Sequence, residues 1–379
     1  MPEDAAAGGR RGQLDSSGLR PGWTTGACAT AAARAAYAAL LTGSFPDPVT
    51  VELPQGRTPA FALTLEDLDP GPQPVWATAA VTKDSGDDPD VTHGAVVRAT
   101  VRRGRPGGGV TFFAGPGVGT VTLPGLPLEV GEAAINPMPR RMIAANLRAV
   151  AVEAGEIVGA AVPDVQVTVA IDHGEAMARH TLNPRLGIVG GLSVLGTTGV
   201  VVPYSCSAWI DSIRRGIDVA AAMGLRHVAA CTGSTSEQVV SRMYGLPDAA
   251  LLDMGDFAGA VLKYLRTHPL PRLTLCGGVG KLSKLANGHL DLHSARSSVD
   301  AAHLAMLATL AGAPASVVAR VGAATTALGA VRLCAEVGVR LGDAVAAGAR
   351  TVALDVLHDA PVEVDVLCID RAGVVVGRA

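Results

Sequence analysis

The rhythm of hydrophobic and polar positions changes midway along the chain. In the first half, runs of alternating or β-branched character recur at 49–53, 60–65, 75–82, 94–102, 110–113 and 118–123, which predicts a sheet-rich region. A helix over about 25–41 precedes them, opened by Thr24 or Thr25 as cap and closed by Gly43. A second helix follows over 137–154, with Asn136 at the cap, Pro137 at the first helical position and Gly155 just past the end. Beyond residue 165, apolar strands at 165–171, 227–231, 250–253 and 273–276 alternate with helical patterns, as in a largely parallel, helix-covered sheet. Within 207–223, Trp209, Ile210, Ile213, Ile217 and Ala220 share one helical face, and Asp211, Arg214, Arg215 and Asp218 the other. The last third reads as mostly helical through 304–346, with two short strands at 362–369 and 374–376 closing a sheet. The predicted class is α/β with an α+β N-terminal part: a loose, disordered tail over 1–18, a sheet-rich domain over 19–185, and an α/β domain with a helical final third over 186–379.

Composition narrows the classes. With 49% hydrophobic and 17% charged residues in 379, the chain has enough apolar surface to fold, and global disorder is excluded. A net charge of −3, from 31 basic and 34 acidic side chains, lacks the cationic excess that nucleic-acid binding needs. The windows 106–128 and 186–210 are long and uncharged, but glycine and proline interrupt them, so neither suits a bilayer. Six scattered cysteines without a C-x-x-C pair, and an N-terminus without an apolar leader, fit reduced thiols in the cytoplasm. The alanine-rich faces of 301–346 suit packing within the chain or between copies, so a homo-oligomer is compatible with them.

Candidate chemistry gathers at strand ends. Small hydroxyl- or glycine-rich turns occur at Leu195–Gly199, Cys231–Glu237, Met254–Phe257 and Cys276–Lys281. In a doubly wound sheet such turns face ligands, and free helix N–H groups there favour anions. Thr232–Glu237 also reads as a capping box in which Glu237 reaches back to the helix start. Two nucleotide motifs fail. Gly277–Lys281 has Leu275 where a P-loop needs glycine and Leu282 where it needs a hydroxyl, while Gly115–Gly119 continues as strand and reads as a hairpin or bend. On a strand, His289, Asp291 and His293 would share one face, a geometry for metal or acid–base chemistry. With no cysteine nearby, a hydrogen-bonded or substrate-contacting role is preferred and no metal is assigned. Trp23, Tyr204, Trp209 and Phe257 adjoin these motifs, where a flat ligand could stack or a cation approach a ring.

The ordered strings Arg20-Pro-Gly-Trp-Thr-Thr-Gly-Ala-Cys-Ala-Thr, Val121-Thr-Leu-Pro-Gly-Leu-Pro-Leu-Glu-Val-Gly, Ile135-Asn-Pro-Met-Pro-Arg-Arg-Met-Ile, Gly191-Leu-Ser-Val-Leu-Gly-Thr-Thr-Gly, Thr232-Gly-Ser-Thr-Ser-Glu, Gly255-Asp-Phe and Gly280-Lys-Leu-Ser-Lys-Leu-Ala-Asn-Gly-His-Leu-Asp-Leu-His-Ser are distinctive together. They resemble the cobalt-precorrin-5B C1-methyltransferase family of oxygen-independent cobalamin biosynthesis. The resemblance implies methyl transfer from S-adenosylmethionine to ring carbon C1, giving cobalt-precorrin-6A. It also implies an enzyme without the usual Rossmann methyltransferase fingerprint, and cobalt present only within the substrate.

An acidic tetrapyrrole calls for arginine forks, lysines and helix N-termini. Arg140, Arg141, Lys281 and Lys284, with Thr24 and Thr25, are therefore the expected substrate contacts. Donor contacts are expected at Thr197, Thr198 and Gly199 and at Thr232, Gly233, Ser234, Thr235 and Ser236, with Glu237 or Asp256 accepting from a ribose diol. Should a ring proton leave, His289, Asp291 or His293 would be the base. The rival classes are a nucleotide-dependent oxidoreductase or kinase, against which the broken fingerprints argue, and a non-catalytic corrinoid carrier.

Overall fold

The structure is a computed structural model of the chain and describes residues 18–157 and 161–379; the expected tail at 1–18 lies, apart from Gly18, outside the described residues. Contacts divide the chain into two units. The first comprises the described residues up to Leu123 together with Pro127–Ser205, and the second comprises Pro124–Leu126 and Cys206–Ala379. The division thus falls at 205/206 rather than 185/186. Three short strands between those positions pair back into the first unit: Ile188–Val189 with 120–121, Gly191–Leu192 with 117–118, and Val200–Val201 with 22–23.

The first unit is built on a five-stranded sheet. Its strands are β1 (Leu65–Leu68), β2 (Trp76–Thr82), β3 (Val96–Arg103), β4 (Val110–Ala114) and β5 (Val165–Ile171), in spatial order β1-β2-β3-β5-β4. All pairs are antiparallel except β5 with β4. On β5 every second residue is buried, so Val165, Val167, Val169 and Ile171 face the core. Helix α1 (Thr25–Thr42) packs on β2 and β3, and α2 (Pro137–Glu153) packs on α1. Sandwiched this way, α1 is buried nearly all round, and Ala27, Ala29, Ala31, Ala32, Ala33, Ala35, Ala36 and Ala39 supply the small surface that close packing needs. Its ends are those expected, with Thr24 Oγ1 accepting from the Ala27 N–H at 3.2 Å and Gly43 in the left-handed region.

The second unit has a sheet of β6 (His227–Cys231), β7 (Leu251–Asp253), β8 (Arg272–Gly278), β9 (Glu363–Ile369) and β10 (Val375–Arg378), in order β7-β6-β8-β9-β10. The first four in space are parallel, and β10 closes the edge antiparallel to β9. Both faces are covered, which is why the strands read as near-continuous apolar runs. Val228, Ala230, Leu273, Leu275, Val364 and Val366 join the larger core with most of the helices: α3 (Cys206–Ala222), α5 (Ala258–Leu265), α6 (Val279–Ala286), α7 (Ala301–Leu310), α8 (Ala315–Gly322), α9 (Ala327–Ala335) and α10 (Leu341–Leu357). Ala229, Cys231, Cys276, Leu367 and Ile369 face the other way, against Val240 of α4 (Ser234–Tyr244). Among the described residues, no helix is long and apolar enough to cross a membrane.

Candidate functional site

In the second unit, strand order and chain order disagree between β6 and β8: β7, which follows β6, lies on its other side. Such a reversal opens a crevice at the carboxyl ends of the two strands, where ligands of parallel sheets bind. Thr232 and Gly233 leave β6 there, Gly277 and Gly278 end β8, and Asp256 sits in the loop after β7. Lys281, in the first turn of α6, ties them together. Its Nζ lies 3.1 Å from Asp256 Oδ1 and donates to the Thr232 carbonyl at 3.3 Å.

The crevice is shaped by missing side chains. A Cβ on Gly277 would stand 2.5 Å from Thr232 Cγ2, so glycine is needed for the two strand ends to approach. A Cβ on Gly278 or Gly233 would meet nothing within 4 Å, so there is open space beside the first residues of α6 and α4. Asp256 Oδ1 is buried and, despite the neighbouring ammonium, has no aligned hydrogen-bond partner among the described residues. Burial also pushes the Cys231 thiol up and the Cys276 thiol up to about 12, so both stay protonated near neutral pH.

Within Thr232–Glu237, Ser236 reaches back to the helix start. Gly233 is the cap, and Ser236 Oγ accepts from its N–H at 3.1 Å and donates to its carbonyl at 2.6 Å. Ser234 and Thr235 are exposed, whereas Glu237 is buried in the next turn.

The segment 289–293 is not a strand. The Leu292 N–H donates to the Asp256 carbonyl at 2.8 Å, and the buried Lys284 Nζ donates to the Leu292 carbonyl at 2.9 Å. These bonds hold it as a loop beside Asp256 rather than as the strand expected to give His289, Asp291 and His293 a shared face. Asp291 accepts the His293 N–H at 3.0 Å and pairs with Arg296, and His293 Nδ1 accepts the Ala295 N–H at 3.2 Å. The His289 imidazole has no hydrogen-bond partner among the described residues. No group of three or more His, Cys, Asp or Glu side chains is placed to hold a metal among them.

The remaining expected residues belong to the first unit. The Thr24 N–H donates to the Gly199 carbonyl at 3.0 Å and the Gly26 N–H to the Leu195 carbonyl at 2.9 Å, so the Thr197–Gly199 turn lies on the N-terminus of α1 beside Thr24 and Thr25. A Cβ on Gly196 would fall 2.3 Å from Thr24 Oγ1. Thr198 hydrogen-bonds locally to Val200 and Thr197 is exposed. On α2, Arg140 spends its guanidinium on the Ile135 and Ala133 carbonyls and on Glu132, and lies over the Phe112 ring at 5.6 Å. Arg141 is exposed, and its guanidinium donates to Met138 Sδ at 3.9 Å.

Sequence reasoning passed over one charged cluster. Lys83, 1% exposed, donates to Ser85 and to Asp90 at 2.6 Å, beside the Arg20–Asp84 pair. The available signal was a lysine closing an apolar strand in a chain with four lysines.

Comparison with known proteins bears on both units. The family model described as CbiD matches residues 12–203, and that described as CbiD, C-terminal domain, matches 291–379. A protein of Paramagnetospirillum magneticum named cobalt-precorrin-5B C(1)-methyltransferase is 56% identical over 365 residues, covering 96% of this chain and 99% of its own. A Brucella canis protein of the same name is 54% identical, covering 95% of each chain. A crystal structure of a cobalamin biosynthesis protein (cbiD) from Archaeoglobus fulgidus is 25% identical, covers 73% of this chain and 83% of that one, and superposes with a TM-score of 0.39.

Proposed function

This chain belongs to the CbiD family, and from that membership we propose that it is a cobalt-precorrin-5B C1-methyltransferase that takes its methyl group from S-adenosylmethionine. The products are cobalt-precorrin-6A and S-adenosylhomocysteine. An electron pair at C1 attacks the methyl carbon, the carbon–sulfur bond breaks, and its electrons return to sulfur, which becomes a neutral thioether. No enzyme nucleophile is needed. The protein must align the two reactants and exclude water. The six free thiols fit a cytoplasmic setting.

The second unit is the donor site in this reading, and the observation that carries it is Lys281 bridging Thr232 and Asp256 at the reversal of strand order. The Asp256 carboxylate, whose buried Oδ1 lacks an aligned hydrogen-bond partner among the described residues, is the favoured acceptor for a ribose diol. The open N-terminus of α4, from Thr232 through Gly233 and Ser234 to Ser236, suits the donor's carboxylate. Protonated Cys231 and Cys276 do not compete for the methyl group. Should a ring proton leave, His289 is the favoured base, since Asp291 and His293 are held in their turn.

For the tetrapyrrole's acetate and propionate groups, Arg141 is the favoured cation of the first unit. The guanidinium of Arg140 and the ammonium of Lys284 are committed to the fold. Thr24, Thr25 and the Thr197–Gly199 turn form one polar surface that supports the same role. Cobalt enters only with the substrate.

Gly278→Leu tests the donor site, because the new side chain enters open space and leaves the fold intact. Calorimetric titration with S-adenosylhomocysteine is expected to lose binding at an unchanged melting temperature. Undiminished binding would remove the donor from this crevice. An anaerobic assay with cobalt-precorrin-5B and labelled donor separates a methyltransferase from a carrier, which would bind the macrocycle and release no S-adenosylhomocysteine.

A further inference from the structure

We propose that Trp209 is a fixed aromatic platform for the adenine ring of the methyl donor, an inference that rests on the donor reading of the second unit. Trp209 is 44% exposed in a chain with only three tryptophans. Exposed as it is, the ring is not loose. Its Nε1 donates to the Asp253 carbonyl at 2.9 Å, so its single polar atom is used and the solvent-facing surface is wholly apolar. Its benzenoid edge rests on Gly255, where a Cβ would stand 3.2 Å from Cζ2 and 3.4 Å from Cε2. Gly255 also has φ +52°, so glycine serves both the turn and the close approach. Phe257 supports the ring at 6.4 Å between centroids and 53° between planes.

The residue between these two ring supports is Asp256. A ribose held by the Asp256 carboxylate carries its base one bond away, and the indole against Gly255 offers that base a preformed flat surface. On the segments framing the ring, Arg215 pairs with Asp211 and Lys281 with Asp256. Stacking on a ring already held in place loses little conformational freedom on binding.

The test compares Trp209→Ala, Trp209→Phe and Gly278→Leu in the full chain, titrated with S-adenosylhomocysteine by calorimetry and followed by tryptophan fluorescence. The parent's emission is expected to be quenched on binding. Trp209→Ala is expected to bind about ten-fold more weakly and lose the quench, while Trp209→Phe also loses the quench but binds with intermediate affinity. Thermal melting of each variant reports whether it has folded. If Trp209→Ala binds like the parent while Gly278→Leu does not bind, the platform is overturned and the donor site stands. If both bind like the parent, the donor reading fails and the platform with it.

Discussion

Lys281 Nζ lies 3.1 Å from Asp256 Oδ1, joining the first turn of α6 to the loop that follows β7. Their side chains are 37% and 23% exposed, so the pair adds little to stability; its consequence is a crevice whose charges are balanced before any ligand arrives.

Removing either partner unbalances that charge in opposite senses. Lys281→Met leaves a net carboxylate and is expected to favour cationic S-adenosylmethionine over neutral S-adenosylhomocysteine by about three- to ten-fold relative to the parent. Asp256→Asn is expected to shift the preference the other way and to weaken both ligands through the lost ribose contact. Calorimetric affinities for the two ligands check this; a ratio that stays constant in both variants contradicts it.

The buried Lys83–Asp90 pair makes acid stability testable. Burial pushes the Asp90 carboxyl up, but the charge and hydrogen bond of Lys83 and two hydrogen bonds from Thr92 outweigh it and hold the group below the usual carboxylate range. A depressed folded-state pKa contributes stability above the unfolded value, about 3.9. That contribution fades as pH falls through the folded value. Asp90→Asn strands a buried ammonium and is expected to cost about 2–3 kcal/mol at pH 7, less than for a fully buried pair because Asp90 is 25% exposed. Denaturant melts should find the gap between parent and variant closing below about pH 4.

Two adjacent arginines should behave differently. Arg140→Met removes bonds to two carbonyls and a carboxylate and is expected to destabilise the first unit by about 2 kcal/mol. Arg141→Met should leave melting unchanged and raise KM for the tetrapyrrole about five-fold, since its guanidinium is not committed to the fold. Equal KM values for parent and Arg141→Met would exclude Arg141 from the substrate site.

Gly342, at the second position of α10, is a backbone contact rather than a hinge. A Cβ there would stand 1.8 Å from the Val376 carbonyl oxygen. Gly342→Ala is expected to displace β10 at a cost of about 3 kcal/mol or more, visible as faster hydrogen exchange at Val375–Arg378.

Much of the scaffold was legible because its signals act over a few residues. Thr24 and Gly43 bound α1, Asn136 and Pro137 start α2, and the apolar runs at 165–171 and 227–231 are strands over those residues. Cap chemistry and side-chain period need no knowledge of distant partners. The glycine-rich strand ends of the second unit were recognisable for the same reason.

Partnership across the chain was not. The polar–apolar alternation at 289–293 has the strand period, yet Asp256 and Lys284 take the backbone groups of Leu292 and make it a loop. Arg140 and Arg141 are neighbours in one motif, but only the former turns toward Glu132 and the Ile135 carbonyl. Thr197–Gly199 resembles the turns of the second unit, yet the Leu195 and Gly199 carbonyls that flank it bind the backbone at the start of α1. The sequence by itself determined where α1 and α2 begin, where the strands at 165–171 and 227–231 lie, and which family motifs the chain carries. The tertiary structure alone decided which charges are committed and which face a crevice, because a buried donor takes whichever acceptor the folded backbone brings within about 3 Å.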